Sequence, residues 1–143
     1  METRFVTRYV AFLAELAEAY GHAGKIANAQ TTIDEALERC RRNEEFWYIA
    51  ELARIKGEIE LRKDIPNAAT TAESSFQESL DWARRQNALS WELRTATSLA
   101  RLWRSQGRLG DAHKQLAQVY ARFTEGFQTA DVKAARKLLS EVS

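Results

Sequence analysis

The sequence is poor in the residues that end or cross-link secondary structure. Six glycines and one proline make up about 5% of its 143 residues, against a usual share of roughly 12%. Turn-rich all-β folds need these residues, so their scarcity favours helices. The single cysteine, Cys40, excludes an internal disulfide framework and a multi-cysteine zinc site, and it is compatible with a reducing compartment.

An excess of charge of one sign is also missing. The 21 Lys and Arg residues stand against 20 Asp and Glu, a formal net charge of +1, so no overall field attracts the chain to nucleic acid or to an anionic membrane. Charged residues recur through the first 20 positions and leave no apolar stretch for a secretory signal. We therefore expect no nucleic-acid or membrane partner and a cytoplasmic location.

Motifs for catalysis, cofactors or metals are not visible. The chain has no glycine-rich phosphate loop, no H-E-x-x-H motif and no C-x-x-C pair. His22 and His113 stand in no nucleophile motif. Cys40 falls on an apolar helical stripe, which is typical of a small buried hydrophobe rather than a nucleophile. We expect no enzyme activity, no cofactor and no bound metal.

The sequence contains an internal repeat and a helical period. Leu16-Ala17, Tyr20, Gly24, Ala29, Ile33 and Ala36 match Leu99-Ala100, Trp103, Gly107, Ala112, Leu116 and Val119, each 83 residues later. A degenerate middle copy begins at Leu52. Apolar residues recurring at three- and four-residue steps predict helices near 3–20, 26–42, 44–62, 68–86, 89–106, 109–123 and 130–142.

The repeated positions resemble the tetratricopeptide repeat, in which a Leu-small pair, an aromatic, a turn glycine and further small and large residues recur. The stretches that carry the likeness, Leu16–Gly24, Leu52–Leu61, Leu93–Gly107 and Val119–Gly126, resemble the C-terminal helical-repeat region of large bacterial signalling proteins of the adenylate-cyclase-type or signalling-ATPase class.

This resemblance implies an all-α, tetratricopeptide-like α–α superhelix that fills residues 1–143 as a single domain. Three helical hairpins are expected at about 3–42, 44–86 and 89–123, followed by a capping helix at 130–142. Whether the chain is a fragment of a longer regulator is left open.

Stacked hairpins leave a concave groove, where we expect function. The groove positions are Arg94, Thr97, Arg101 and Arg104 at one end, Glu18 and His22 at the other, and Glu60 from the middle copy. The arginines share one helical face and suit the carboxylates of an acidic peptide. Alternatively, they form a solvated face that pairs with Glu92 or with acids of a neighbouring helix. The leading hypothesis is a non-catalytic scaffold that binds a protein or peptide within a bacterial signalling or transcription-regulatory protein.

Aromatic residues suggest a second function. Phe5, Tyr9 and Phe12 form a stripe on the first helix, although a terminal repeat normally needs a polar outer face. Phe46, Trp47 and Tyr48 are consecutive, and on a helix they would point about 100° apart and could not all face one core. The alternative hypothesis is an architectural module that uses these six residues for homodimerisation or domain docking.

Overall fold

A computed structural model describes the backbone of residues 2–143 and the side chains of residues 8–143. Over these residues the chain is all-α, which confirms the fold class at that level. The seven helices are α1 (Glu2–His22), α2 (Ile26–Asn43), α3 (Ile49–Leu61), α4 (Ala68–Arg85), α5 (Leu89–Ser105), α6 (Leu109–Tyr120) and α7 (Ala130–Val142). Within the described part of the chain, no helix combines the length and the apolar content that a membrane span requires.

The turn that closes α1 recurs after α5 at a distance of 83 residues. Gly24 and Gly107 both adopt the left-handed conformation, with φ of 78° and 77°. In each turn the residue after the glycine donates its N–H to the carbonyl of the repeat's aromatic residue: Lys25 to Tyr20 over 2.9 Å, and Arg108 to Trp103 over 2.8 Å. This is the hydrogen bond of a Schellman cap, in which glycine meets least strain. The local structure therefore repeats where the sequence repeats.

The start of α3 differs from the prediction. Glu44 adopts a φ of 53° and caps α2, and the next N–H, that of Glu45, donates to the Cys40 carbonyl over 3.1 Å. This closed turn delays the start of α3 to Ile49 instead of residue 44. The segment 46–48 therefore lies in the α2–α3 connection, and the prediction that placed these three aromatic residues on a helix was wrong.

The end of α6 also differs. The helix stops at Tyr120 instead of residue 123. Gly126, with φ of 75°, lies inside the connection 121–129 and accepts the N–H of Thr129 over 3.0 Å. Gly126 therefore shapes the approach to α7 and does not cap α6.

The chain divides into two compact units, residues 1–79 and residues 80–143, here called the N-terminal and C-terminal units. In the N-terminal unit α1 packs against α2 and α3, and α2 packs against α3. Glu18 meets Arg54, and Gly21 lies against Ile59, so α1 and α3 run parallel. Its buried core includes Leu13, Ile33, Leu37, Leu52, Ile59 and Phe76.

The C-terminal unit repeats this arrangement. Its helix α5 packs against α6 and α7, and α6 packs against α7. Arg94 meets Asp131 and Arg104 meets Glu141, both at a spacing of 37 residues, so α5 and α7 run parallel. Its buried core includes Leu93, Leu99, Leu116, Val119, Val132 and Leu138.

Candidate functional site

The predicted cationic stripe lies on α5, and α7 supplies partners for two of its arginines. The Arg94 guanidinium donates to Asp131 Oδ2 over 2.9 Å. Arg104 forms an ion pair with Glu141. All four side chains are about one third to two fifths exposed. These two arginines therefore pair with acids of a neighbouring helix, which agrees with the alternative interpretation of the stripe as a solvated face with intramolecular partners.

The other two stripe residues differ from each other. Thr97 is only 5% exposed, and its hydroxyl donates to the Leu93 carbonyl over 2.8 Å. Arg101 is exposed and has no polar partner among the described residues. Of the four positions, only Arg101 presents an unengaged cation at the surface.

Glu92 is a buried carboxylate whose two arginine partners cannot be identified from the sequence. It is 3% exposed and accepts hydrogen bonds from Arg84 over 3.2 Å and from Arg122 over 2.8 Å. The expectation that Glu92 pairs with the α5 stripe is therefore not met for Arg94 and Arg104. Arg122 lies in the α6–α7 connection, 30 residues away, and no local pattern marks it as a partner.

Glu18 belongs to a buried ionic group in the N-terminal unit. Arg54 of α3, with a side chain 9% exposed, donates to Glu18 over 2.8 Å and to Glu51 over 2.6 Å. Burial disfavours the charged form of Arg54, but the hydrogen bonds and negative charges of Glu51 and Glu18 outweigh it and raise the pKa of Arg54. Glu18 therefore helps to join α1 to α3.

His22 and Glu60 are likewise engaged inside the N-terminal unit. Arg62 donates to Nδ1 of His22 over 2.9 Å, which places the histidine's proton on Nε2 when the ring is neutral. Glu60 is buried and accepts from Lys63 over 2.8 Å. The predicted groove residues thus fall into two sets, one in each unit, and most of them have an intramolecular partner.

The aromatic residues of α1 form an exposed surface in the N-terminal unit. Tyr9 is half-buried beneath the guanidinium of Arg39, 4.5 Å from its ring centroid. The Tyr9 and Phe12 rings are stacked with centroids 6.3 Å apart, and Phe12 is 56% exposed. We call Tyr9 and Phe12 the aromatic face of α1. The side chain of Phe5, predicted to join them, lies outside the described residues.

The second aromatic group lies in the α2–α3 connection. Trp47 is 43% exposed, and its ring centroid lies 4.8 Å from that of Tyr48. Phe46 and Tyr48 are half-buried. Since the segment is not helical, its three side chains do not point 100° apart. The argument that they cannot all face one core therefore does not apply to them.

A cavity of about 370 Å³ lies in the C-terminal unit, between the starts of α5 and α7 and the connection that precedes α7. Leu93 and Val132 are buried lining residues, and Leu89 and Phe123 add half-buried apolar surface. Its exposed lining includes Ser90, Thr124 and Thr129. Sequence reasoning missed this cavity because it assigned residues 121–123 to α6.

Three charged residues line this cavity: the exposed Glu125 and two residues that are held in ion pairs. Arg122 lines it and is held by buried Glu92, while Asp131 lines it and is held by Arg94. The Arg122 side chain nevertheless remains 54% exposed and can donate to a further acceptor. An apolar interior with a few positioned polar groups is typical of a binding pocket.

The remaining candidates for reactive or metal-binding chemistry are Cys40 and groups of His, Cys, Asp and Glu side chains. Cys40 is 1% exposed, and burial raises the pKa of its thiol, so its prediction as a buried hydrophobe is confirmed. Among residues 8–143, no three His, Cys, Asp or Glu side chains are grouped to hold a metal ion.

No protein-family model, no curated protein and no solved structure matches the chain. A function must therefore be argued from the geometry of each unit, chiefly the cavity in the C-terminal unit and the aromatic face of α1.

Proposed function

We propose that this chain is a non-catalytic protein-interaction module built from tetratricopeptide-like helical hairpins, acting in the cytoplasm within a bacterial signalling or transcription-regulatory protein. The Schellman turns at Gly24 and Gly107 support the hairpin repeat, because they share their hydrogen bonds at a spacing of 83 residues. The parallel pairs α1/α3 and α5/α7 support it as well, since tandem hairpins bring alternate helices side by side in parallel.

The cavity in the C-terminal unit carries the binding part of this proposal. Its volume of about 370 Å³ falls within the usual range for ligand pockets, roughly 300–1,000 Å³. Leu93 and Val132 provide a surface for an apolar side chain, and the exposed part of Arg122 can donate to a carboxylate. The partner that fits this chemistry is a peptide or helix with a large apolar residue next to an acidic one.

The helices that form the cavity are held before any partner binds. Thr129 caps α7 by accepting the N–H of Val132 over 3.4 Å, and the Arg94–Asp131 pair ties the start of α7 to α5. A preformed pocket avoids part of the ordering cost that binding otherwise carries. We therefore expect a peptide to bind without a large change in helix content.

Titration of the isotope-labelled chain with synthetic peptides tests the proposal by nuclear magnetic resonance. One peptide set has a central Leu or Phe flanked by Glu, and a matched set has Lys in place of Glu. The acidic set should shift the amide signals of residues 89–93 and 122–132. The change Thr124→Trp, which adds bulk to an exposed lining residue, should weaken binding about tenfold or more.

Gln118→Trp is the matched control, because Gln118 is exposed on α6 and does not line the cavity. It should leave peptide affinity unchanged. The proposal would be wrong if neither peptide set moved the cavity signals, or if both tryptophan variants reduced affinity equally.

A second candidate function is architectural, and the aromatic face of α1 favours it. Phe12 is 56% exposed and stacks on Tyr9, so a large apolar ring stands at the surface of a helix. Burial of such a ring usually contributes strongly to protein association. We infer that this face serves homodimerisation or the docking of another domain.

A further inference from the structure

The outward side of α1 carries a short pattern of exposed residues. Arg8, Phe12, Glu15 and Ala19 are exposed and follow one another at steps of four, three and four residues. Such steps keep side chains within about 60° of one another around a helix. Phe12 therefore has a cation one turn before it and a carboxylate one turn after it on the same face, here called the α1 stripe.

The two charges of the stripe have no internal partner among the side chains of residues 8–143. Arg8 and Glu15 form no hydrogen bond or ion pair with any described residue. They are seven residues apart, which separates them by about 10.5 Å along the helix axis. At that distance the two charges flank the Phe12 ring instead of neutralising each other.

We propose that α1 pairs with α1 of a second copy of this chain, antiparallel and about a two-fold axis that passes beside Phe12. This inference rests on the second candidate function and names its partner. A two-fold axis midway between residues 8 and 15 lies about 5 Å from each along the helix. Arg8 then faces the partner's Glu15, and Glu15 faces the partner's Arg8, so both ion pairs form at once.

The charge pattern selects this orientation. Parallel pairing in register would set Arg8 against the partner's Arg8 and Glu15 against the partner's Glu15, which is repulsive at both positions. In the antiparallel arrangement Phe12 lies at the centre, between the two ion pairs. Exposed ion pairs contribute little energy, so the aromatic rings supply the affinity while the charges set the orientation.

The side chains of the aromatic face are also preorganised by contacts within the chain. Arg39 lies over the Tyr9 ring at 4.5 Å, and Tyr9 in turn stacks on Phe12 with an angle of 26° between the rings. This arrangement restricts the Phe12 side chain before association, which lowers the ordering cost of burying it in an interface. In a two-fold pair the second copy brings the same face, so the two Phe12 rings can meet near the axis.

Charge reversal tests the proposal by analytical ultracentrifugation of the full chain over a wide concentration range. The unaltered chain should be in monomer–dimer equilibrium. Arg8→Glu alone and Glu15→Arg alone should each weaken the dimer about tenfold or more, because each creates like-charge pairs. An equimolar mixture of the two variants should form a heterodimer at least as stable as the original dimer, since one chain presents two acids and the other two bases.

Two further variants test the role of the Phe12 ring and provide a control for charge reversal. Phe12→Ser should abolish the dimer while leaving the far-ultraviolet circular dichroism and the melting temperature nearly unchanged, because Phe12 is already mostly exposed. Lys114→Glu reverses an exposed charge on α6 and should leave the dimer unaffected.

A chain that stays monomeric at every concentration would overturn the proposal, as would a dimer that is insensitive to Arg8→Glu or a variant mixture that fails to associate. These failures are distinguishable from failure of the peptide-binding function. Peptide titration reports on the cavity of the C-terminal unit, whereas the variants on α1 alter only the N-terminal unit.

Discussion

Replacing Gly57 by alanine tests how closely α3 and α4 pack in the N-terminal unit. A Cβ atom on Gly57 would lie 2.5 Å from Cε1 and 2.8 Å from Cδ1 of Phe76. Carbon atoms in favourable contact are about 3.5–4.0 Å apart, so the overlap is about 1 Å. The Phe76 side chain is fully buried, so its ring has no solvent-filled space into which it can move.

Two opposing effects set the size of the change. Alanine is favoured over glycine inside a helix by about 0.5–1 kcal/mol. Overpacking a well-packed core costs about 1–3 kcal/mol, and an overlap of this size against a buried ring belongs in the upper half of that range. We therefore expect Gly57→Ala to lower the free energy of unfolding by about 1–2.5 kcal/mol.

Urea unfolding followed by circular dichroism measures this difference. Gly110→Ala in α6 is the matched control, because a Cβ there meets no heavy atom within 4 Å. It should not destabilise the chain and should gain up to about 1 kcal/mol. Adding Phe76→Leu to Gly57→Ala should recover part of the loss by shortening the clashing side chain. The reasoning is refuted if Gly57→Ala proves as stable as Gly110→Ala, since the Phe76 ring would then relax without cost.

Further stability predictions rest on a turn, a buried ion pair and a buried thiol. Residues 44 and 24 both have a left-handed φ, which glycine adopts with least strain. Glu44→Gly should therefore stabilise the chain by about 0.5–1 kcal/mol, and Gly24→Ala should destabilise it by about 1 kcal/mol. Thermal unfolding should show a higher melting temperature for the first variant and a lower one for the second. Arg54→Met should cost about 3 kcal/mol in denaturant titrations by removing the arginine that neutralises buried Glu51, and the added change Glu51→Gln should recover part of that cost. Cys40 should react with a disulfide reagent only as fast as the structure opens. Burial raises the pKa of this thiol, so the thiol ionises at a lower pH in the unfolded state than in the folded state. The free energy of unfolding should therefore fall as pH rises above the thiol's ordinary pKa. The prediction is contradicted if the free energy of unfolding stays constant at alkaline pH and Cys40→Ala does not alter that dependence.

Local signals explain why much of the helix pattern is predictable from the sequence. The repeat pattern predicts Gly24 and Gly107 as turn glycines, and both adopt the left-handed conformation. Asn87 adopts a left-handed φ of 53° after α4, a conformation that asparagine tolerates better than most residues. Glu44 adopts the same φ, but glutamate carries no preference for it. The start of α3 and the positions of Phe46, Trp47 and Tyr48 were therefore mispredicted.

The candidate site was less predictable than the helices. Helical periodicity correctly places Arg94, Arg101 and Arg104 on one face of α5, but it does not reveal which element covers that face. Asp131 and Glu141 of α7 engage two of these arginines from 37 residues away. Whether a charged stripe is available to a partner depends on such long-range neighbours, and pairings between side chains far apart in the sequence leave no periodic signal.

The sequence by itself determined where most helices run, which side of each is apolar and where the glycine turns fall. These properties depend on residues three and four positions apart, whose distances are set by the helix itself. The tertiary structure alone decided that Glu92 holds Arg122, that a cavity opens beside α7 and that Phe12 stays exposed. Such features depend on how helices pack and how their connections bend, because chain segments tens of residues apart meet only after folding.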